Sequence, residues 1–230
     1  MITPNALSKD RSMRHVTVLA FLLLGTQLVS AQTFKNFGIK AGYNRSFIDA
    51  GSLQQGVEGM HRHGFHAGVF KEFQIKNWSI VPGLLYSVKG FRVSARPPST
   101  PPGVNSITGT RTFKYLELPV NLLYNFKIKP GKLFVGGGPY VGYLLAANGH
   151  NTRNVGGNDI YTETKFDIGG SGTYKRFDMG VNFVVGIKLK SGLLFNLAAY
   201  NGFTNILATT GNFPPITKNR ALTLSAGYEF

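Results

Sequence analysis

The chain has 230 residues, 43% of them hydrophobic and only 15% charged, with a net charge of +15. That content can bury one sizeable core as a single domain. The absence of cysteine excludes disulfides and thiolate metal sites, while 29 glycines and 13% aromatics suit strands and turns better than helices.

The chain begins as an exported one does. Lys9, Arg11 and Arg14 give a basic lead-in, residues 16–29 an apolar core, and Val29-Ser30-Ala31 the small residues a signal peptidase reads. The apolar run is shorter than the roughly 20 residues of a membrane-spanning helix. Residues 1–31 are therefore predicted to be a cleaved signal peptide, and residues 32–230 one barrel domain. Met13 is an alternative start to Met1, because Met13-Arg14-His15 and the apolar run form a complete signal. No cysteine follows the cleavage site, so a lipoprotein is excluded.

Eight candidate strands follow, each with apolar residues at a spacing of two. The first sets Phe37, Ile39, Ala41 and Tyr43 against Gly38, Lys40, Gly42 and Asn44. The second sets Phe65, Ala67 and Val69 against Gly64, His66 and Gly68. In the third, Trp78, Ile80, Leu84, Tyr86 and Val88 oppose Ser79, Gly83, Leu85, Ser87 and Lys89. In the fourth, Leu116, Leu118, Val120, Leu122, Tyr124 and Phe126 oppose Glu117, Pro119, Asn121 and Asn125. The fifth sets Leu133, Val135, Val141, Tyr143 and Leu145 against Phe134, Gly136, Gly138, Tyr140 and Gly142. The sixth sets Phe177, Met179, Phe183 and Val185 against Asp178, Gly180, Asn182, Gly186 and Lys188. The seventh sets Leu193, Phe195, Leu197 and Ala199 against Asn196, Ala198, Tyr200 and Gly202. The eighth sets Leu222, Leu224, Ala226, Tyr228 and Phe230 against Thr223, Ser225, Gly227 and Glu229.

Connections alternate in length. Residues 74–77, 127–131 and 190–192 are tight turns; residues 45–62, 91–112, 147–174 and 204–219 are long loops. One loop holds Pro97, Pro98, Pro101 and Pro102, and proline has no donor for a ladder. Short turns on one rim and long loops on the other predict an all-β, eight-stranded, antiparallel up-and-down transmembrane β-barrel, with turns in the periplasm and loops outside. The bulky stripe spans the length a tilted strand needs to cross a bilayer. Tyr43, Trp78, Tyr86, Tyr124, Phe126, Tyr143 and Tyr228 lie near strand ends, as interfacial aromatics do. Frequent glycine on the other stripe relieves crowding in a narrow interior. Closure satisfies every backbone group in lipid. The last strand, ending on Tyr228 and Phe230, matches the C-terminal signal that such barrels present to the barrel assembly machinery.

The stretches 37–44 (Phe-Gly-Ile-Lys-Ala-Gly-Tyr-Asn), 84–90 (Leu-Leu-Tyr-Ser-Val-Lys-Gly), 115–121 (Tyr-Leu-Glu-Leu-Pro-Val-Asn) and 202–206 (Gly-Phe-Thr-Asn-Ile) resemble the PorT-like family of outer-membrane β-barrel proteins. In that family the third strand often carries an acidic residue where this chain has Gly83. The resemblance implies a small outer-membrane barrel, with some relatives linked to secretion or gliding machinery.

The inner stripe carries Lys40, His66, Glu72, Lys89, Glu117, Asp178, Lys188 and Glu229. Buried charges must pair, so mixed signs in a narrow lumen predict a salt-bridged plug. A polar path for small solutes is the alternative, and a soluble lipocalin-like binding barrel a third. His61 and His63 share a face while His66 points the other way, so no metal or other cofactor is expected. Ser87, His66 and Asp178 face inward, but no spacing joins them into a catalytic site, so no enzyme is expected. Arg45, Arg62, Arg92, Arg96, Arg111, Lys114, Arg176 and Arg220 fall in or near the long loops, with Arg153, Lys175 and Lys218 beside them. There they are candidates to hold phosphates of lipopolysaccharide in the outer leaflet. Nucleic acid is the other partner a basic chain suggests; export and the absence of a recognition motif exclude it. The expected protein is a monomer of the cell outer membrane that meets membrane lipid and serves a structural or anchoring role, adhesion, or a secretion or surface complex through glycine-rich loops that order on a partner.

Overall fold

The computed structural model describes residues 36–49, 57–95, 104–170, 172–208 and 217–230. They form one compact unit, Asn36–Phe230. The predicted signal peptide and the proline cluster lie outside the described residues.

Eleven strands run in chain order: β1 (Phe37–Asp49), β2 (Val57–Met60), β3 (Arg62–Lys71), β4 (Phe73–Ile75), β5 (Trp78–Ala95), β6 (Val104–Ile128), β7 (Gly131–Val155), β8 (Asn158–Lys165), β9 (Phe177–Leu189), β10 (Leu193–Gly202) and β11 (Lys218–Glu229). β2, β3 and β4 are one stave interrupted at His61 and Glu72, because all three pair with β5. That stave also pairs with β1 through β3. From β5 the ladder continues through β6, β7, β9, β10 and β11, and β11 returns to β1. Every pairing between these strands is antiparallel, and the ring of eight staves closes with Ile39 opposite Tyr228 and Tyr43 opposite Leu224. This is the up-and-down barrel the alternation predicts. β8 stands outside the ring, paired with the far half of β7.

Side-chain direction follows the period of two. Leu118 (53% exposed), Leu197 (57%) and Phe183 (67%) point out, while Leu85 and Tyr115 (1% each) point in. An apolar belt this continuous does not suit water. Hydrocarbon does, and a closed ring leaves no stave with an unpaired edge there. Aromatic rings mark the two ends of the belt. At the turn end, Trp78 and Tyr124 meet edge to face with centroids 5.0 Å apart, and Tyr228 and Phe230 at 5.2 Å. At the loop end the pairs are Phe65 with Tyr86 (6.0 Å) and Tyr143 with Phe177 (5.4 Å).

Inner glycines make room for particular rings. A side chain at Gly38 would run into the Phe70 ring, and one at Gly186 into Phe134. Two buried clusters fill the interior. Leu123, Phe134, Tyr140, Val184, Ala198, Tyr200 and Ala221 form one; Phe113, Tyr115, Leu144, Ala147, Tyr174 and Ile206 form the other.

Three of the predicted long loops are largely strand. β5 and β6 stay paired out to Ala95 opposite Ile107, β7 runs to Val155, and β1 stays paired to Asp49. The loop predicted over residues 147–174 contains a hairpin, β7–β8, in place of a disordered glycine-rich stretch. Residues such as Thr108, Thr110, Thr152, Thr162 and Thr164 have strand propensity. Both faces there are wet, so the apolar alternation that marks a strand disappears although the strand does not. The turns at 74–77 and 127–131 tighten to Lys76-Asn77 and Lys129-Pro130.

Candidate functional site: a plugged lumen and the hairpins above it

At the turn end, four charged side chains from four staves interlock. Glu72 meets Lys132 and Lys188 at 2.5 Å each, and Lys188 also meets Glu229. Ser79 donates to Glu72, and Asn125 Nδ2 donates to Ser79 Oγ at 2.6 Å. Above this ring a cavity of about 50 Å³ is lined by Lys40, Phe70, Asn121, Leu123 and Phe134.

Towards the loop end, Lys89 and Glu117 pair at 2.5 Å with side chains only 1% and 2% exposed. The Lys89 ammonium also sits 4.4 Å from the Tyr200 ring centre and 5.0 Å from that of Tyr140, where the π faces favour a cation. Asp178 accepts from Asn219 Nδ2 at 2.9 Å, and the same amide reaches the Tyr115 hydroxyl at 3.0 Å. His66 bonds Asn44 Oδ1 through Nδ1 at 2.7 Å and Ser225 Oγ through Nε2 at 2.9 Å. Asn44 Nδ2 in turn donates to Ser87 Oγ at 3.1 Å.

All eight predicted lumen residues therefore face inward, but they fall into separate groups. Glu72, Lys188 and Glu229 form the rim, while Lys89 pairs with Glu117. Asp178, His66 and Lys40 each keep other company. Ser87, His66 and Asp178 are not brought together. The Ser225–His66–Asn44 line has the order of a hydrolytic triad, but Ser225 is 3% and His66 4% exposed, so no substrate reaches it. His63 stacks on Tyr43 and His61 meets Phe47 edge to face, both on the outside of the wall and away from His66. No group of three His, Asp or Glu among the described residues could hold a metal ion.

At the loop end, chain packs over inward side chains of the wall. Ile168 bridges Tyr174, and Tyr174 bridges Leu207. Tyr174 (4% exposed) and Ile206 (1%) sit against Phe113, whose ring meets Tyr174 edge to face at 4.8 Å. Burial pushes the Tyr174 phenol above its ordinary value, and Arg111 nearby pulls the other way.

The predicted basic rim divides. Arg45, Arg92 and Arg176 are exposed and Lys114 and Arg220 half-buried. Arg176 donates to the Tyr143 hydroxyl at 3.1 Å and to the Ile168 carbonyl at 3.0 Å. Arg62 and Arg111 do not join this rim. Arg62 lies on the inward parity of β3 and donates to the His63 carbonyl at 2.9 Å. Arg111 turns into the mouth, donating to Asn151 Oδ1 at 2.8 Å beneath the Phe166 ring. The bend of chain over the lumen, which sequence alone does not reveal, draws it inward. Arg96 lies outside the described residues.

A family model described as outer membrane protein beta-barrel domain matches residues 30–208. The chain belongs to that family. It is an outer-membrane β-barrel protein. Comparison with curated proteins returns no match. Among solved structures the barrel is similar to Ail, the attachment invasion locus protein of Yersinia pestis, at 15% identity and a TM-score of 0.38, covering 85% of this chain and 99% of that one. It is also similar to Neisserial surface protein A, at 12% identity and 0.39, covering 85% and 98%. CarO of Acinetobacter baumannii gives 12% and 0.40, covering 82% and 97%.

Four residues that organise this outer-membrane barrel are not evident from sequence alone: Lys132, Asn44, Ser225 and Asn219. Lys132 falls at the edge of a predicted turn, although it has the inward parity of β7. The other three look like small polar filler until the ring brings distant staves together.

Proposed function

We propose that this barrel is a non-conducting anchor that holds an extracellular β platform for adhesion or for a secretion or surface complex. The observation that carries the reading is the pairing of a doubly blocked lumen with strands that outrun the membrane. Lys89–Glu117 and the Tyr174–Ile206 cap occupy the interior. β6 and β7, of 25 residues each, far exceed the 9–11 residues or so of a spanning strand. Against a solute channel stand the filled interior and the cap. Against a soluble lipocalin-like barrel stands the exposed apolar belt.

Export through residues 1–31 and assembly through Tyr228 and Phe230 belong to the same reading. Arg45, Arg92, Lys114, Arg176 and Arg220 would meet lipopolysaccharide phosphates where the belt ends, since guanidinium forks match phosphate oxygens. The PorT-like stretches favour service to a secretion or gliding complex among the possible partners.

Because the natural chain has no cysteine, single cysteines report topology cleanly. Arg153→Cys on the β7 extension should react with a membrane-impermeant maleimide on intact cells, and Ser191→Cys in the β9–β10 turn only after the outer membrane is opened. Labelling of Ser191→Cys alone on intact cells would overturn the orientation and the platform with it.

A further inference from the structure

We infer that β8 is a docking edge for a second copy of this chain, pairing strand to strand between two facing membranes. The inference rests on the platform reading above and names its partner.

Gly156 and Gly157, at φ +58° and +89°, form a two-residue turn that sets Val155 opposite Asn158. That closing pair is hydrogen-bonded, and bonded and non-bonded pairs alternate from there. Asn158, Ile160, Thr162 and Thr164 thus direct their backbone groups to β7. Asp159, Tyr161, Glu163 and Lys165 direct theirs away from it. No described strand pairs with that outer edge. An open row of donors and acceptors is a template for another strand. It carries Ile160 at 53% and Tyr161 at 62% exposure, well beyond the lipid belt.

The charges select the occupant. Antiparallel pairing of β8 with its own copy about Thr162 sets Asp159 opposite Lys165 twice and Tyr161 opposite Glu163 twice. These four residues are the ones whose backbone groups face outward. Moving the centre to Tyr161 would set Asp159 against Glu163; moving it to Glu163 would set that residue against itself. Of these three registers, only the one about Thr162 avoids like charges and unites opposite ones. Among the described residues neither Asp159 nor Lys165 has an ion pair within its own chain. Antiparallel pairing also reverses the strand that descends toward the membrane. The second barrel therefore stands in an opposing membrane, and each chain remains a monomer in its own.

The test is aggregation of liposomes carrying the purified full-length mature barrel, followed by light scattering. Wild-type vesicles should aggregate. Asp159→Lys and Lys165→Asp, each alone, set like charges opposite one another and should slow aggregation about tenfold or more. Mixing the two variant populations restores both opposite-charge pairs and should restore aggregation. Vesicles that do not aggregate, variants that aggregate like wild type, or a mixture that stays dispersed would each overturn the inference. If Arg153→Cys still labels at the cell surface in that case, the platform reading stands and only its partner is wrong.

Discussion

Lys89 and Glu117 come from the neighbouring strands β5 and β6, and neither is more than 2% exposed. Two charges in such a place are stable only together, because either alone would be buried without compensation. Lys89→Ala or Glu117→Ala should each cost about 3–5 kcal/mol of unfolding free energy in lipid micelles, whereas Lys89→Met with Glu117→Leu should cost less than either. Urea titration checks this, and two singles whose costs simply add in the double variant would contradict it. Parity placed both residues inside, as it did the other charged lumen residues, because a period of two fixes the face once the strand is known. Parity does not give height along the barrel. Which inward charge meets which, and that Lys132 completes the Glu72 ring, depends on a stagger between staves that no local spacing records.

At the scale of elements, the short turns, the eight staves and their faces were legible because apolar residues face lipid on one side only. The extensions above the belt look like loops in sequence for the complementary reason. With water on both faces, β5, β6 and β7 lose the contrast that announces a strand. The β7–β8 hairpin depends instead on its turn. Gly157 has open space around it, so a substitution there meets no neighbour, but φ +89° is a conformation that β-branched residues avoid. Gly157→Val should cost the hairpin about 1–2 kcal/mol. Hydrogen exchange would show amides of Asn158–Lys165 losing protection while those of β9–β11 keep theirs. Equal loss across the barrel would mean that the hairpin is not a separate unit. The cap over the mouth was the least legible element. Tyr174 and Ile206 lie in segments with no periodicity, and their burial comes from the barrel beneath them.

For the whole molecule, closure is the feature from which the others descend. The ring pairs the backbone groups of each stave with its neighbours, so an apolar exterior can face hydrocarbon. Eight staves leave an interior that side chains can fill, as the rim ion pairs, the Lys89–Glu117 pair and the aromatic cap do in succession. Membership of the outer membrane protein beta-barrel domain family agrees with this frame. The most direct measurement is planar-bilayer conductance of refolded protein, shown to be folded by heat-modifiable migration on a denaturing gel. A plugged and capped barrel predicts no steps above baseline across the voltage range. Reproducible open steps from folded protein would contradict the plug and make passage of small solutes the barrel's work.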